Sequence, residues 1–120
     1  MSKTIDDVIK ELAEKRPHTY TDESVAGWIS TLDGDISSYL GVSGAPIAYT
    51  WPDDRTKELF IPAPFDDIYF LFCAAQVDYL NREYDQYANS YAMYNSRISD
   101  FQKYYIRHNR PASAGTFTIN

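Results

Sequence analysis

Phe70, Cys73, Val77, Leu80, Tyr84, Tyr87, Tyr91, Tyr94, Ile98, Phe101 and Tyr105 are separated alternately by three and four positions. That spacing puts every member on one stripe of an α-helix, the pattern of a seam pressed on other helices. A straight helix over 70–105 is about 54 Å long at about 1.5 Å per residue. A compact domain of this size has a radius of gyration of about 14 Å and a diameter of about 35 Å. The helix must therefore break or project from the body. Asn81-Arg82-Glu83 interrupts the stronger helix formers and Asp85 can cap a new start, so a break is expected near 81–86, giving two antiparallel helices. The continuity of the seam is the argument for a single helix.

Much of the seam is phenol. A leucine seam makes a drier and more stable core, whereas tyrosine keeps a hydroxyl that needs a partner or water when buried. Each tyrosine taken singly fits a core edge whose hydroxyl reaches solvent. As a set, Tyr84, Tyr87, Tyr91 and Tyr94 are read as a subunit contact, where tyrosine is enriched.

Two earlier helices are expected. Over 3–16, Ile5, Val8, Ile9 and Leu12 are at helical spacing, Thr4 and Asp7 form an approximate capping pair, and Pro17 stops the run. Thr21-Asp22-Glu23-Ser24 opens a second helix with the apolar face Val25, Trp28, Ile29, Leu32, Ile36, Tyr39 and Leu40, and Gly41 ends it. Gly34 lies inside, at a cost of about 1 kcal/mol relative to alanine, and leaves room for a bend. Between 42 and 63 the four prolines Pro46, Pro52, Pro62 and (just beyond) Pro64 forbid a helix. IAYTW and KELFI flank the turn-forming Pro52-Asp53-Asp54-Arg55, so a β-hairpin is expected with strands near 47–51 and 57–61. Tyr49, Trp51 and Phe60 are its candidate contact residues. Asp66 and Asp67 suit the first turn of the next helix. After residue 110 an extended tail over 111–120 holds Thr116-Phe117-Thr118-Ile119, which alternates like a strand and needs a sheet edge in this chain or another.

The fold expected is mainly α: a small bundle of about four helices over 1–110, with one hairpin near 47–61 and the C-terminal tail. The 120 residues make one domain, and 44% apolar content argues for a folded chain. No run approaches a membrane span, and MSKTIDDVIKELAEK has no apolar signal-peptide centre, so a soluble protein made in the cytoplasm is expected. Residues 1–100 carry 17 acidic and 8 basic side chains, against Lys103, Arg107 and Arg110 with no acid in 101–120. The acidic body repels nucleic acid, so direct duplex binding is not expected. The basic end can meet an acidic partner or be solvated.

Signals for chemistry are poor. His18 and His108 lack a recognised metal spacing. Cys73, alone of its kind, lies on the seam as a core residue. The pairs Asp6-Asp7, Asp22-Glu23 and Asp66-Asp67 fall at helix starts, and Asp53-Asp54 in a turn. No P-loop, dinucleotide-binding glycine pattern or nucleophile elbow occurs. No catalytic residue, cofactor or metal ligand is expected, and the protein is not read as an enzyme.

The stretch LFIPAPFDDIYFLFCAAQVDYLNREYDQYANSYAMYNSRISDFQKYYIR resembles the small head–tail connector (adaptor) proteins of tailed bacteriophages and prophages. The likeness lies in the proline-rich end of a hairpin, then PFDDIY, then AQVDYLNREYDQY, then Tyr94-Asn95. It covers roughly 58–110, and 1–57 agree in pattern only. The resemblance implies a structural virion protein, a ring of about twelve copies closed by a repeated heterologous contact beneath the portal. Such a ring prolongs the DNA channel, with DNA passing through without sequence-specific binding, and supplies a platform for the stopper or tail-completion protein. It implies no membrane. Arg107, Arg110, Phe117 and Ile119 are then candidates for docking on the portal or a neighbour. Two other classes compete: a self-associating helical regulator using the seam, and a small-ligand or glycan binder in which Trp28, Trp51 and the tyrosines line one pocket. Deleting residues 111–120 is expected to abolish portal binding in a pull-down; unchanged binding removes the tail from the docking site.

Overall fold

A computed structural model describes residues 3–42, 44 and 46–109. Within them lie four helices: α1 (Ile5–Lys15), α2 (Asp22–Tyr39), α3 (Asp67–Leu80) and α4 (Tyr84–His108). Arg110, Phe117, Ile119 and the rest of the expected tail lie outside the described residues.

Local chemistry sets the helix ends. Thr4 Oγ1 accepts from Asp7 N at 3.2 Å while the Asp7 carboxylate accepts from Thr4 N at 3.0 Å, a reciprocal capping box. Thr21 Oγ1 caps α2 by accepting from Ser24 N at 3.1 Å. Gly41, at φ 71, closes α2 with Gly41 N donating to Ser38 O and Val42 N to Ser37 O. That is a Schellman motif, and it wants a residue without Cβ at the left-handed position. Helix α2 runs through Gly34 without interruption.

The seam does break, at Asn81–Glu83. Arg82 N donates to Tyr79 O and Glu83 N to Asp78 O, the same closing pattern, but with Arg82 at φ 61 in the glycine position. The chain then folds back, and the later half of the seam meets aromatic residues that stand beside the earlier half and not on it. Phe65, just before α3, meets Tyr104; Phe72 meets Tyr94; Tyr79 meets Tyr87, with ring centres 5.1–5.3 Å apart. Helices α3 and α4 are therefore antiparallel. Helix α3 is the centre of the molecule, with Ile68, Tyr69, Leu71, Cys73, Ala74, Ala75, Val77 and Asp78 all buried. Ile5, Val8 and Leu12 of α1 and Val25, Ile29, Leu32 and Ile36 of α2 complete the core, with Phe101 and Ile98 from α4. Four positions placed on apolar faces do not reach it: Tyr39 is 71% exposed, Tyr84 57%, Leu80 47% and Tyr91 40%.

The expected β-hairpin near 47–61 is absent; the described residues contain no strand, only a lone bridge between Thr4 and Glu58. The backbone donors of the two runs go elsewhere. Ile47 N donates to Ser37 Oγ at 3.2 Å and Tyr49 N to Ser30 Oγ at 3.0 Å, both on α2. Phe60 N donates to Asp33 Oδ2 at 3.1 Å and Ile61 N to the Tyr69 hydroxyl at 2.7 Å. Around Glu58 the partner is the N-terminal segment, with Asp6 N donating to Arg55 O and Leu59 N to Lys3 O. The turn at 52–55 does form, closed by Asp54 N donating to Thr50 O and the Asp54 carboxylate accepting from Thr50 N. Tyr49, Trp51 and Phe60 accordingly lie half-buried against the core.

The loop turns on one buried carboxylate. Asp33 is wholly inaccessible and accepts from the Tyr49 hydroxyl, the Tyr69 hydroxyl and Phe60 N. Burial pushes its carboxyl above the ordinary 3.8, and the bonds from Tyr49, Tyr69 and Phe60 offset only part of that. A carboxyl whose folded pKa is raised contributes stability that is complete below its ordinary value and lost as pH rises through the folded value. Asp33→Asn turns an amide N–H toward existing donors and is expected to cost about 1–3 kcal/mol. Because Asn does not titrate, the gap to wild type in urea unfolding should narrow from acid to neutral pH. A gap that widens contradicts the assignment.

Candidate functional site

Antiparallel packing of α3 on α4 lines up aromatic side chains that are far apart in sequence. Tyr84 meets Tyr79 with ring centres 6.0 Å apart, Tyr79 meets Tyr87 at 5.3 Å, and Tyr87 meets Tyr91 at 5.5 Å. Tyr91 then meets Tyr94 at 5.7 Å, and Tyr94 meets Phe72 at 5.2 Å. These separations are those of favourable aromatic pairs. The result is one ribbon of six rings along the α3–α4 edge. It contains all four of the predicted interface residues, Tyr84, Tyr87, Tyr91 and Tyr94.

Exposure varies along the ribbon: Tyr84 is 57% exposed, Tyr79 52% and Tyr91 40%, whereas Tyr87 and Tyr94 are half-buried. Burial, with smaller contributions from Tyr91 and Asp35, pushes the Tyr94 hydroxyl up to about 12. Two grooves border the rings. One, of about 210 Å³, is lined by Phe72, Ala75, Gln76, Tyr79, Tyr87 and Tyr91. The other, of about 280 Å³, lies between α2 and α4 and includes Asp35, Ile36, Tyr39, Tyr91, Tyr94 and Ile98. Among the described residues, α4 runs alongside no helix except α3, so the α2–α4 side is left open.

Neither tryptophan lines these grooves. Trp28 packs edge-on against Tyr20, and Trp51 sits beneath the Arg55 guanidinium at 5.2 Å. Neither groove therefore brings Trp28 or Trp51 together with the tyrosines of the ribbon. Arg107 is exposed in the last turn of α4 and, with His108, complements the negative end of the helix dipole. Cys73 is fully buried and its thiol is pushed up by desolvation, so it behaves as a core atom. No group of three or more His, Cys, Asp or Glu side chains suited to a metal occurs among the described residues, and no described helix is long and apolar enough to cross a membrane.

A second buried carboxylate braces the ribbon from behind. Asp78 of α3 is fully buried and receives Arg16 Nη1 on both oxygens and the Ser90 hydroxyl at 2.8 Å. It ties the end of α1 to both helices that carry the rings. Phe72, Tyr79, Tyr39 and Asp78 were not singled out as site residues by sequence. Once the break at 81–83 is known, reflecting α3 onto α4 across that turn pairs Phe72 with Tyr94 and Tyr79 with Tyr87, so the missing signal was the register of the turn.

Exposure separates the roles of the rings. Tyr94→Ala should cost about 2 kcal/mol or more in urea unfolding, because it empties packed space against Phe72. Tyr84→Ala should stay within about 0.5 kcal/mol of wild type, as an exposed position does. Equal costs contradict the difference in burial between Tyr94 and Tyr84. No known protein family, no curated protein and no solved structure matches the chain.

Proposed function

We propose that this chain is the subunit of an adaptor ring at the head–tail junction of a tailed phage, joined to its neighbours through the tyrosine ribbon. The observation that carries the reading is the ribbon itself: six touching rings, with Tyr84 and Tyr79 each more than half exposed, beside an open side of α4. Rigid amphipathic side chains with few rotatable bonds suit a protein contact, because little side-chain entropy is lost on docking. The resemblance of 58–110 to phage adaptors supplies the setting, and the mainly helical architecture agrees with it. In that setting the ring is a virion component made in the host cytoplasm. It sits beneath the portal, prolongs the DNA channel and offers a platform to the stopper or tail-completion protein. The acidic body, with 17 carboxylates in the first 100 residues, favours DNA sliding past rather than adhering. The role is structural and calls on no catalytic residue or cofactor. Arg107, with Arg110, Phe117 and Ile119 beyond the described residues, is assigned to the portal or a neighbour.

The same ribbon also suits a second reading, a self-associating helical regulator without a portal. Electron microscopy of the protein mixed with the portal of the same phage separates the two. Ring density below the portal is expected, and the double variant Tyr84→Ser/Tyr91→Ser should remain folded and lose it. A discrete dimer that ignores the portal favours the regulator. Unimpaired rings from the double variant overturn the ribbon as the subunit face.

A further inference from the structure

The turn that joins α3 to α4 is short and strained. It closes with Arg82 N donating to Tyr79 O and Glu83 N to Asp78 O, and Arg82 occupies the left-handed position at φ 61. Glycine ordinarily fills that position, because a Cβ there crowds the backbone. No glycine or proline occurs anywhere in 65–110, so nothing in the covalent chain bars a single helix from α3 through to α4. The seam also keeps its spacing of three and four across the turn, from Val77 and Leu80 to Tyr84 and Tyr87. Straightened, Asp67–His108 is a helix about 63 Å long at about 1.5 Å per residue.

We propose that 81–83 is a hinge, and that two copies of this chain exchange α4 by opening it into one continuous helix. Short connections under strain invite such exchange. The contacts of the closed chain are remade by the α4 of the second copy, and the strain at Arg82 is lost. Helix α4 is suited to leave as a unit, since among the described residues it runs alongside no helix except α3. The register of the closed hairpin fixes the geometry of the exchanged pair. Tyr79–Tyr87 and Phe72–Tyr94 are both centred on position 83, so the two long helices run antiparallel and cross at a two-fold axis beside Glu83. That crossing sets Arg82 of one copy near Asp85 of the other, and neither side chain makes a salt bridge among the described residues of the closed chain. Tyr79, Leu80 and Tyr84, all exposed in the closed chain, flank the same axis. The exchange does not depend on the ribbon being a ring contact.

Refolding the full chain from urea at high concentration tests this. Wild type should give a monomer and a slowly interconverting dimer, separable by size-exclusion chromatography. Arg82→Gly relieves the closed turn and weakens a helix through the hinge, so its dimer dissociation constant should rise about tenfold or more. Dimer refolded from equal parts of isotope-labelled and unlabelled chain should show the Phe72–Tyr94 contact between chains in isotope-filtered NMR. A dimer in which that contact stays within one chain overturns the exchange and leaves the ribbon as a subunit face. A chain that remains monomeric throughout, or an Arg82→Gly dimer as tight as wild type, overturns the hinge. An exchanged dimer that forms no ring with the portal supports the hinge and counts against the adaptor reading alone.

Discussion

A carboxylate shut away from water has to be met by donors, and Asp33 draws them from three parts of the chain. Tyr49 and Phe60 come from the two ends of the long loop, and Tyr69 from α3. The cost of burying a charge is high unless its lone pairs are filled. Once they are, α2, the loop and α3 are held in one arrangement, because no one of them can shift without orphaning a group that water cannot reach. Tyr69 carries this further, since its oxygen also accepts from Ile61 N. Its own hydroxyl proton is held tightly by burial and by the neighbouring Asp33 charge. Asp78 repeats the device on the other side of α3, with Arg16 and Ser90. The central helix is thus flanked by two sealed polar nodes that fix its rotation, and that rotation decides which aromatic side chains reach the α3–α4 edge.

The helices were legible because their signals are local. Thr4-Asp7, Thr21-Ser24 and Gly41 declare their ends through neighbours a turn away, and the apolar period gives the buried faces. The break between α3 and α4 was legible from weak helix formers at 81–83. The loop was misread for the opposite reason. IAYTW and KELFI have strand composition, but a strand is defined by where its N–H groups go. Here Ser30, Ser37 and Asp33, distant in sequence, outcompete the opposite run. Asp33 could have been noticed: it is four residues after Ile29 and three before Ile36, on the buried stripe of α2. A carboxylate at such a position signals a partner network and not an exposed face. The tyrosine set was read from spacing alone; its pairing with Phe72 and Tyr79 depends on the register of the turn, which no local pattern encodes.

Tyrosine on this edge reflects a compromise. Leucines would bury more cleanly, but rings that are partly packed and partly in water must tolerate both environments. Phenols do so, each presenting an apolar body and a polar tip. Within the one ribbon Tyr94 is packed on Phe72, while Tyr84 and Tyr79 stand more than half in water.

Gly34 shows how closely the loop is joined to the helix beneath it. A methyl group at that position would meet the Ile47 carbonyl oxygen at 3.0 Å, so the bare α-carbon is what lets the chain lie flat across α2. The attachment is then made largely through main-chain amides, which every residue type except proline supplies. Side chains on the outer surface of this loop are consequently free to diverge among descendants of the sequence. Proline at 47, 49 or 60 is barred, whatever the rest of the segment becomes.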